Sequence, residues 1–120
     1  MTKKQKSTQY DLEERTLKFA RHTVSFCKEL PKSAIDGEIA KQLVRAATSV
    51  GANYIEANEA LSKRDFLTRI KICRKEAKES GYWLKLLEVN TSKLKSEQEM
   101  LMKESAELTK IFGAIVVKSQ

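Results

Sequence analysis

The chain has few of the residues that a β-rich or disulfide-stabilised protein requires. Its 120 residues include one proline, four glycines and two cysteines. So few turn-forming residues do not suffice for the many tight turns of an all-β fold. A chain of this length buries an adequate core without metal or disulfide bonds. We therefore expect one helical domain in which Cys27 and Cys73, which have apolar neighbours at helical spacing, are buried thiols.

Long apolar runs are also absent from the sequence. No segment approaches the roughly 20 apolar residues of a membrane-spanning helix. The first ten residues, MTKKQKSTQY, have the lysines of a signal peptide's first region, but no apolar segment follows them. We expect a cytoplasmic protein that does not associate with membranes, and a reducing compartment that keeps its cysteines as thiols.

Residues for catalysis or metal binding are scarce. The only histidine, His22, has no cysteine or carboxylate at ligand spacing, so no zinc site is predicted. Two-metal carboxylate bundles combine glutamates with a Glu-x-x-His motif, which this sequence lacks although two glutamate pairs have suitable spacing. Those pairs are Glu56 with Glu59 and Glu76 with Glu79. Glycine-rich phosphate loops and nucleophile elbows are absent too, so we expect no enzyme activity, no metal and no cofactor.

Apolar residues at helical spacing dominate the first half of the chain. A run from Asp11 to Leu30 has two apolar stripes and ends before Pro31, because a proline disfavours helical geometry in the preceding residue. A second run starts near Asp36, the predicted N-cap, and reaches about Glu59. The stripes of the first run are Leu17, Ala20, Val24 and Cys27, and next to them Leu12, Phe19 and Phe26.

Two more helical runs follow. Ser62 and Asp65 predict the start of a third helix, and Ser96 and Glu99 form a capping box that predicts the start of a fourth. Their stripes are Phe66, Ile70, Cys73, Ala77, Leu84 and Leu87, then Leu101, Leu108, Ile111, Phe112, Ile115 and Val116. The short links predict an all-α fold, an antiparallel up-down-up-down four-helix bundle over residues 10–120, after a basic, flexible tail over residues 1–9.

Positive charge is concentrated in the third helix. The net charge is +7, and residues 63–85 have eight basic and three acidic residues, a local sum of +5. Such asymmetry favours an anionic partner. At about 100 degrees per residue, a row of cations lies within about 60 degrees of one line, and an aromatic residue shares it. The row is Arg64, Lys71, Lys75, Lys78 and Lys85, and the aromatic residue is Tyr82.

Such a row is suited to phosphates, and an exposed tyrosine is suited to stacking on an unpaired base. The alternative is a solvated helix face whose lysines only confer solubility, with Glu76 and Glu79 paired to basic neighbours. Both interpretations remain open at this point.

The stretch Ser49 to Ala60, SVGANYIEANEA, has polar groups where a core helix would have leucines. Its small residues, such as Gly51, allow another backbone to approach closely. A buried polar group is costly without partners, so one hypothesis is a polar network between the second and third helices. The members of that network are Asn53, Glu56, Arg69 and Arg74. Contact with a ligand and plain solvent exposure are the alternatives.

Two stretches, QLVRAATSVGANYIEANEALSKRDF and KICRKEAKESGYWLKLL, resemble the bacterial four-helix bundle family, also called the 23S ribosomal RNA intervening-sequence protein family. The resemblance covers about Gln42 to Leu87, although this sequence reads ANEA where many members read AEG. The residues that match the family pattern are Gln42, Arg45, Ala46, Ser49, Asn53, Glu56, Ser62, Asp65, Phe66, Glu76 and Leu84.

The resemblance implies a small bacterial cytoplasmic protein, often encoded within ribosomal RNA genes, with no known enzymatic activity. The family is similar to the accessory protein of diversity-generating retroelements, a pentameric barrel that binds nucleic acid and a reverse transcriptase. It thus implies a homo-oligomer, a pentamer, and the large aromatic residues Tyr54, Tyr82, Trp83 and Phe112 favour assembly as well. The leading hypothesis is a non-enzymatic oligomer that binds RNA or DNA as an adaptor, and the rival is a protein-protein interaction scaffold without nucleic acid.

Overall fold

Four α-helices make up the computed structural model, which describes the backbone of residues 2–120 and the side chains of residues 12–120. They are α1 (Thr2–Lys28), α2 (Ala34–Asn58), α3 (Lys63–Leu86) and α4 (Ser92–Ser119), and no strand occurs in the described residues. α1 begins at Thr2 and so includes most of the predicted tail, residues 1–9. The side chains of that stretch lie outside the described ones, and its flexibility stays a prediction.

The four helices form a closed bundle. The contacts of α3 with α2 and with α4 are the most extensive, those of α1 with α2 are fewer, and the seam between α1 and α4 is the loosest. In the described part of the chain, the diagonal pairs α1 with α3 and α2 with α4 do not approach each other closely. Links of only a few residues reverse the chain between helices, so the predicted up-down-up-down bundle is confirmed.

The start of α2 differs from the prediction. The N-cap is Ser33, whose extended backbone (φ −145°, ψ 157°) precedes the first helical residue. Its Oγ accepts a hydrogen bond of 3.0 Å from the backbone N–H of Asp36. The predicted cap, Asp36, is therefore wrong and lies in the first turn, where its charge is favourable near the positive end of the helix dipole.

The predicted start is confirmed for α3 and wrong for α4. Ser62 caps α3 as predicted, with its Oγ accepting from the Asp65 N–H at 3.0 Å. Thr91 caps α4, and its Oγ1 accepts from the Leu94 N–H at 3.1 Å. The predicted box of Ser96 with Glu99 is wrong, because α4 has already begun one turn earlier.

Only one of the two predicted stripes of α1 is in the core. Leu12, Phe19 and Phe26 are buried, together with Thr16 and Thr23 of the same helix face. In the other stripe Leu17 is 47% exposed and the remaining members are half-buried. On the helix, the second stripe is rotated by roughly 120 degrees from the first, so it lies at the margin of the core.

An aromatic pair fills the centre of the bundle. Tyr54 of α2 and Phe112 of α4 have ring centroids 5.7 Å apart and an interplanar angle of 54°. Both rings are buried, so they are not available for assembly. The argument for an oligomer from four large aromatic residues is wrong for these two. Only Tyr82 is exposed, and Trp83 is half-buried.

Small residues permit close helix approach at two points. A Cβ added at Gly51 of α2 would lie 3.0 Å from Oγ1 of Thr16 in α1, and one at Gly81 of α3 would lie 2.8 Å from Oγ of Ser105 in α4. The expected role of Gly51 is confirmed, with α1 as the approaching helix.

Both cysteines are free thiols, as expected, but only Cys73 is buried as predicted, and Cys27 is half-buried. Cys73 is buried and donates a hydrogen bond to the Val50 carbonyl over an Sγ to O distance of 3.4 Å. Burial raises the pKa of Cys73 to about 12 and that of the half-buried Cys27 to about 11. Neither thiol is therefore ionised near neutral pH, so both are poor nucleophiles.

Candidate nucleic-acid interface

The predicted basic row lies on the outward face of α3. This helix buries Ile70, Cys73, Ala77 and Leu84 on one side. At the helical repeat, the line of the row falls opposite that stripe. All six members, Arg64, Lys71, Lys75, Lys78, Tyr82 and Lys85, are exposed.

None of the five cations of the row forms an ion pair with another described side chain. Among the described side chains, the ion pairs involve Arg15, His22, Arg45 and Lys93, and none of them includes a member of the row. From the helical rise, the row is about 30 Å long, with its members about 4.5 to 10 Å apart along the axis. The row is therefore a narrow band of uncompensated positive charge.

The alternative interpretation pairs two glutamates of α3 with basic neighbours; in the described structure, Glu79 pairs with a residue of α2 and Glu76 does not pair. Glu79 accepts from Nη2 of Arg45 at 3.2 Å and from Nε1 of Trp83 at 3.2 Å. Glu76 is only 7% exposed, and its Oε1 has no hydrogen-bond partner among the described residues. The pairing of Glu76 that the alternative interpretation assumed is therefore not found among the described residues, and neither carboxylate is paired with a cation of the row.

Tyr82 is held beside Trp83 on this face. The Tyr82 side chain is 57% exposed. The two ring centroids are 5.1 Å apart, and the planes meet edge to face at 72°. Trp83 donates a hydrogen bond to Glu79, and Glu79 pairs with Arg45. The tyrosine ring is thus connected through these side chains to α2.

The predicted polar network is only partly assembled. Asn53 accepts a hydrogen bond of 2.9 Å from Nη1 of Arg69 and donates one of 2.9 Å to the Ser49 carbonyl. Glu56 and Arg74 are exposed, and in the described structure neither side chain joins this pair. Arg74 turns instead toward α4, where its Cδ lies near Gly113. The structure thus brings together Asn53 and Arg69 but leaves Glu56 and Arg74 apart.

Sequence reasoning missed the connection from Arg45 through Glu79 to Trp83. Arg45 also contacts its own helix neighbour Gln42, with Nη2 to Oε1 at 3.3 Å. The four-residue spacing of Glu79 and Trp83 was the one available signal, since such residues are adjacent on a helix. The partner on α2 depends on how the two helices are rotated against each other.

A concave region lies in the loose seam between α1 and α4. This groove has a volume of about 830 Å³ and is lined by Phe19, Met100 and several charged side chains. Arg15 bridges it to Glu104 with two contacts of 2.7 and 2.9 Å. The hydrogen bond to Glu104 raises the pKa of Arg15, and desolvation by burial opposes this in part. The groove is thus crossed by a paired charge, whereas the row on α3 has no ion pair among the described side chains.

The histidine and the acidic residues do not gather into a metal site. His22 is half-buried, and its Nε2 lies 3.9 Å from Oε1 of Glu97. Within the described residues, no group of three or more histidine, cysteine, aspartate or glutamate side chains is placed to hold a metal ion. The same part of the chain has no helix with the length and apolar content needed to cross a membrane.

The sequence matches a described family along most of its length. The family described as 23S rRNA-intervening sequence protein matches residues 8–114. The chain belongs to this family. The resemblance of the two stretches in α2 and α3 is thereby confirmed, and the family match extends into α1 and α4.

A solved structure of related sequence has a similar fold. It is the crystal structure of a protein with unknown function from the S23 ribosomal protein family of Bacteroides thetaiotaomicron VPI-5482. The two chains are 33% identical, with a TM-score of 0.78, and the match covers 90% of this chain and 96% of the other. No curated protein matches this chain. The family and the fold are thus established together, and the function is left to the chemistry of the surface.

Proposed function

We propose that this protein is a non-enzymatic, nucleic-acid-binding protein that holds RNA or DNA on the basic row of α3. The observation that supports the proposal is the set of five exposed cations on one helix face, none of them in an ion pair of the described structure. Charges that are not paired within the protein are free to replace the counterions of a phosphate backbone.

The family description adds support from outside the structure. The family is named after an intervening sequence of 23S rRNA, and the net charge of this chain is +7. The rival is a scaffold whose basic face meets an acidic protein. The row favours nucleic acid, because a long line of cations fits the repeated phosphates of a strand and Tyr82 lies within that line.

The proposal includes an assembly and a location. We propose that the protein is cytoplasmic and forms a homo-oligomer, a ring of five copies. This ring acts as an adaptor between nucleic acid and another protein. In such a ring, several copies of the row act together, so weak contacts of single protomers add up to strong multivalent binding. The basis is the likeness to the pentameric accessory protein of retroelements.

The salt dependence of binding tests the function. A fluorescein-labelled duplex oligonucleotide is titrated with the protein at 50 and 200 mM salt, and anisotropy reports the bound fraction. If one protomer engages about four phosphates, affinity should fall roughly a hundredfold between these conditions, since counterion release sets the slope. A duplex of unrelated sequence should compete fully. Absence of binding at 50 mM salt to both single-stranded and duplex oligonucleotides would leave the scaffold as the better explanation.

A further inference from the structure

Tyr82 is the one aromatic residue in the row, and it is surrounded by charge that matches a nucleic acid strand. Lys78 precedes it by one helical turn and Lys85 follows it by slightly less than one turn. The helical rise places these two lysines about 10 Å apart along the axis, with the tyrosine between them. A base that lies on the ring would therefore have a cation available for the phosphate on either side.

The ring is also held in place before any ligand arrives. Its edge-to-face contact with Trp83, with 5.1 Å between the ring centroids, restricts its movement on one side. Trp83 in turn donates its indole N–H to Glu79, which is paired with Arg45 of α2 at 3.2 Å. An exposed side chain whose position is already restricted loses less conformational entropy when a ligand binds.

We propose that the row binds single-stranded nucleic acid in preference to duplex, with Tyr82 as the platform on which one unpaired base stacks. The inference rests on the proposed function and goes beyond it by naming the form of the ligand. In a duplex, both faces of each internal base are covered by stacking neighbours. Only an unpaired base offers a free face, and every base has one, so the site is tolerant of sequence.

Glu79 and Arg45 are positioning residues in this account. They do not contact the strand, and they act through the orientation of Trp83. Their pairing also keeps the Glu79 carboxylate turned toward α2 and away from the row, so its negative charge is compensated where it lies beside the cations. Loss of the pair would both free the ring and expose a charge that repels phosphate.

Substitution of Tyr82 tests the platform. Affinities for a labelled single strand and for a duplex of equal length are measured by anisotropy at 50 mM salt. Tyr82→Ala should lower the affinity for the single strand about tenfold, as loss of one stacked base predicts, and change the affinity for the duplex less than about twofold. Tyr82→Phe should bind like the parent, because the ring is retained. Met100→Ala is the matched control, since Met100 is also 57% exposed but lies on α4.

Trp83 supplies a second readout without any substitution, because it is the only tryptophan in the chain. A base stacked on Tyr82 should quench its emission, whereas inorganic polyphosphate, which has charge but no bases, should bind without that quenching. Equal quenching by both probes, or an equal effect of Tyr82→Ala on single strand and duplex, would overturn the platform and leave the proposed function intact. Failure of the parent to bind either nucleic acid would instead remove the proposed function itself.

Discussion

The triple substitution Lys71→Glu, Lys75→Glu and Lys78→Glu is expected to lower the affinity for nucleic acid by more than about a hundredfold at 50 mM salt. These three lysines form the middle of the row, and all are exposed. Each change removes one cation that replaces a counterion and adds one anion that repels the strand. The measurement is the anisotropy titration of a labelled oligonucleotide with both proteins.

A control with the same change of charge separates location from net charge. Lys103, Lys110 and Lys118 are exposed on α4, so their conversion to glutamate gives an equal change on another face. This control should retain far more affinity than the variant on α3. Equal losses in the two variants would contradict a defined interface and indicate only general attraction by a basic protein.

The triple variant on α3 also tests the proposed ring of five copies. Because the row is solvated and unpaired, its reversal should leave helicity and assembly unchanged. Light scattering should give both proteins the same mass, near five times 13.7 kDa. A monomeric parent at high micromolar concentration would refute the ring but not the binding surface.

Phe112→Ala is expected to lower the free energy of unfolding by about 3 to 5 kcal/mol, the usual cost of deleting a buried phenyl ring. Phe112 is fully buried and packs against Tyr54, which joins two helices whose backbones do not approach each other in the described bundle. The truncation leaves a cavity at the centre that the rigid helices fill only in part.

Denaturation in urea at one fixed protein concentration measures this effect, since assembly makes stability depend on concentration. Val117→Ala is the control, because Val117 lies on the same helix and is 72% exposed. That control should change stability by no more than about 0.5 kcal/mol. A loss below about 1 kcal/mol for Phe112→Ala would contradict a central position for the ring.

The fold was predictable because each helix repeats its apolar residues with a helical period and the links between them are short. The exact residues at which the helices start were less predictable. Ser33 and Asp36 are both good capping residues within one turn, and only the backbone conformation decides between them. In α1, two apolar stripes lie side by side, and the sequence does not show which of them faces the core.

The exposure of the row was predictable for the same reason, since it lies opposite the buried stripe of α3. The supports of Tyr82 were not, because the pairing of Arg45 with Glu79 depends on the rotation of α2 against α3. That rotation also determines where the side chains of Glu76 and Glu79 lie. Glu79 lies at the edge of the interface between α2 and α3, whereas Glu76 is buried, and its Oε1 has no hydrogen-bond partner among the described residues.

The most direct test of the account is to map where nucleic acid lies on the protein. Ultraviolet light crosslinks the parent protein to a single-stranded oligonucleotide at 50 mM salt, and mass spectrometry locates the crosslinks after trypsin digestion. Cleavage after Lys78 and Lys85 releases residues 79–85, which contain Tyr82 and Trp83. We predict that this peptide carries the main crosslink. Crosslinks confined to peptides of α1 or α4 would contradict the assignment of the interface to α3.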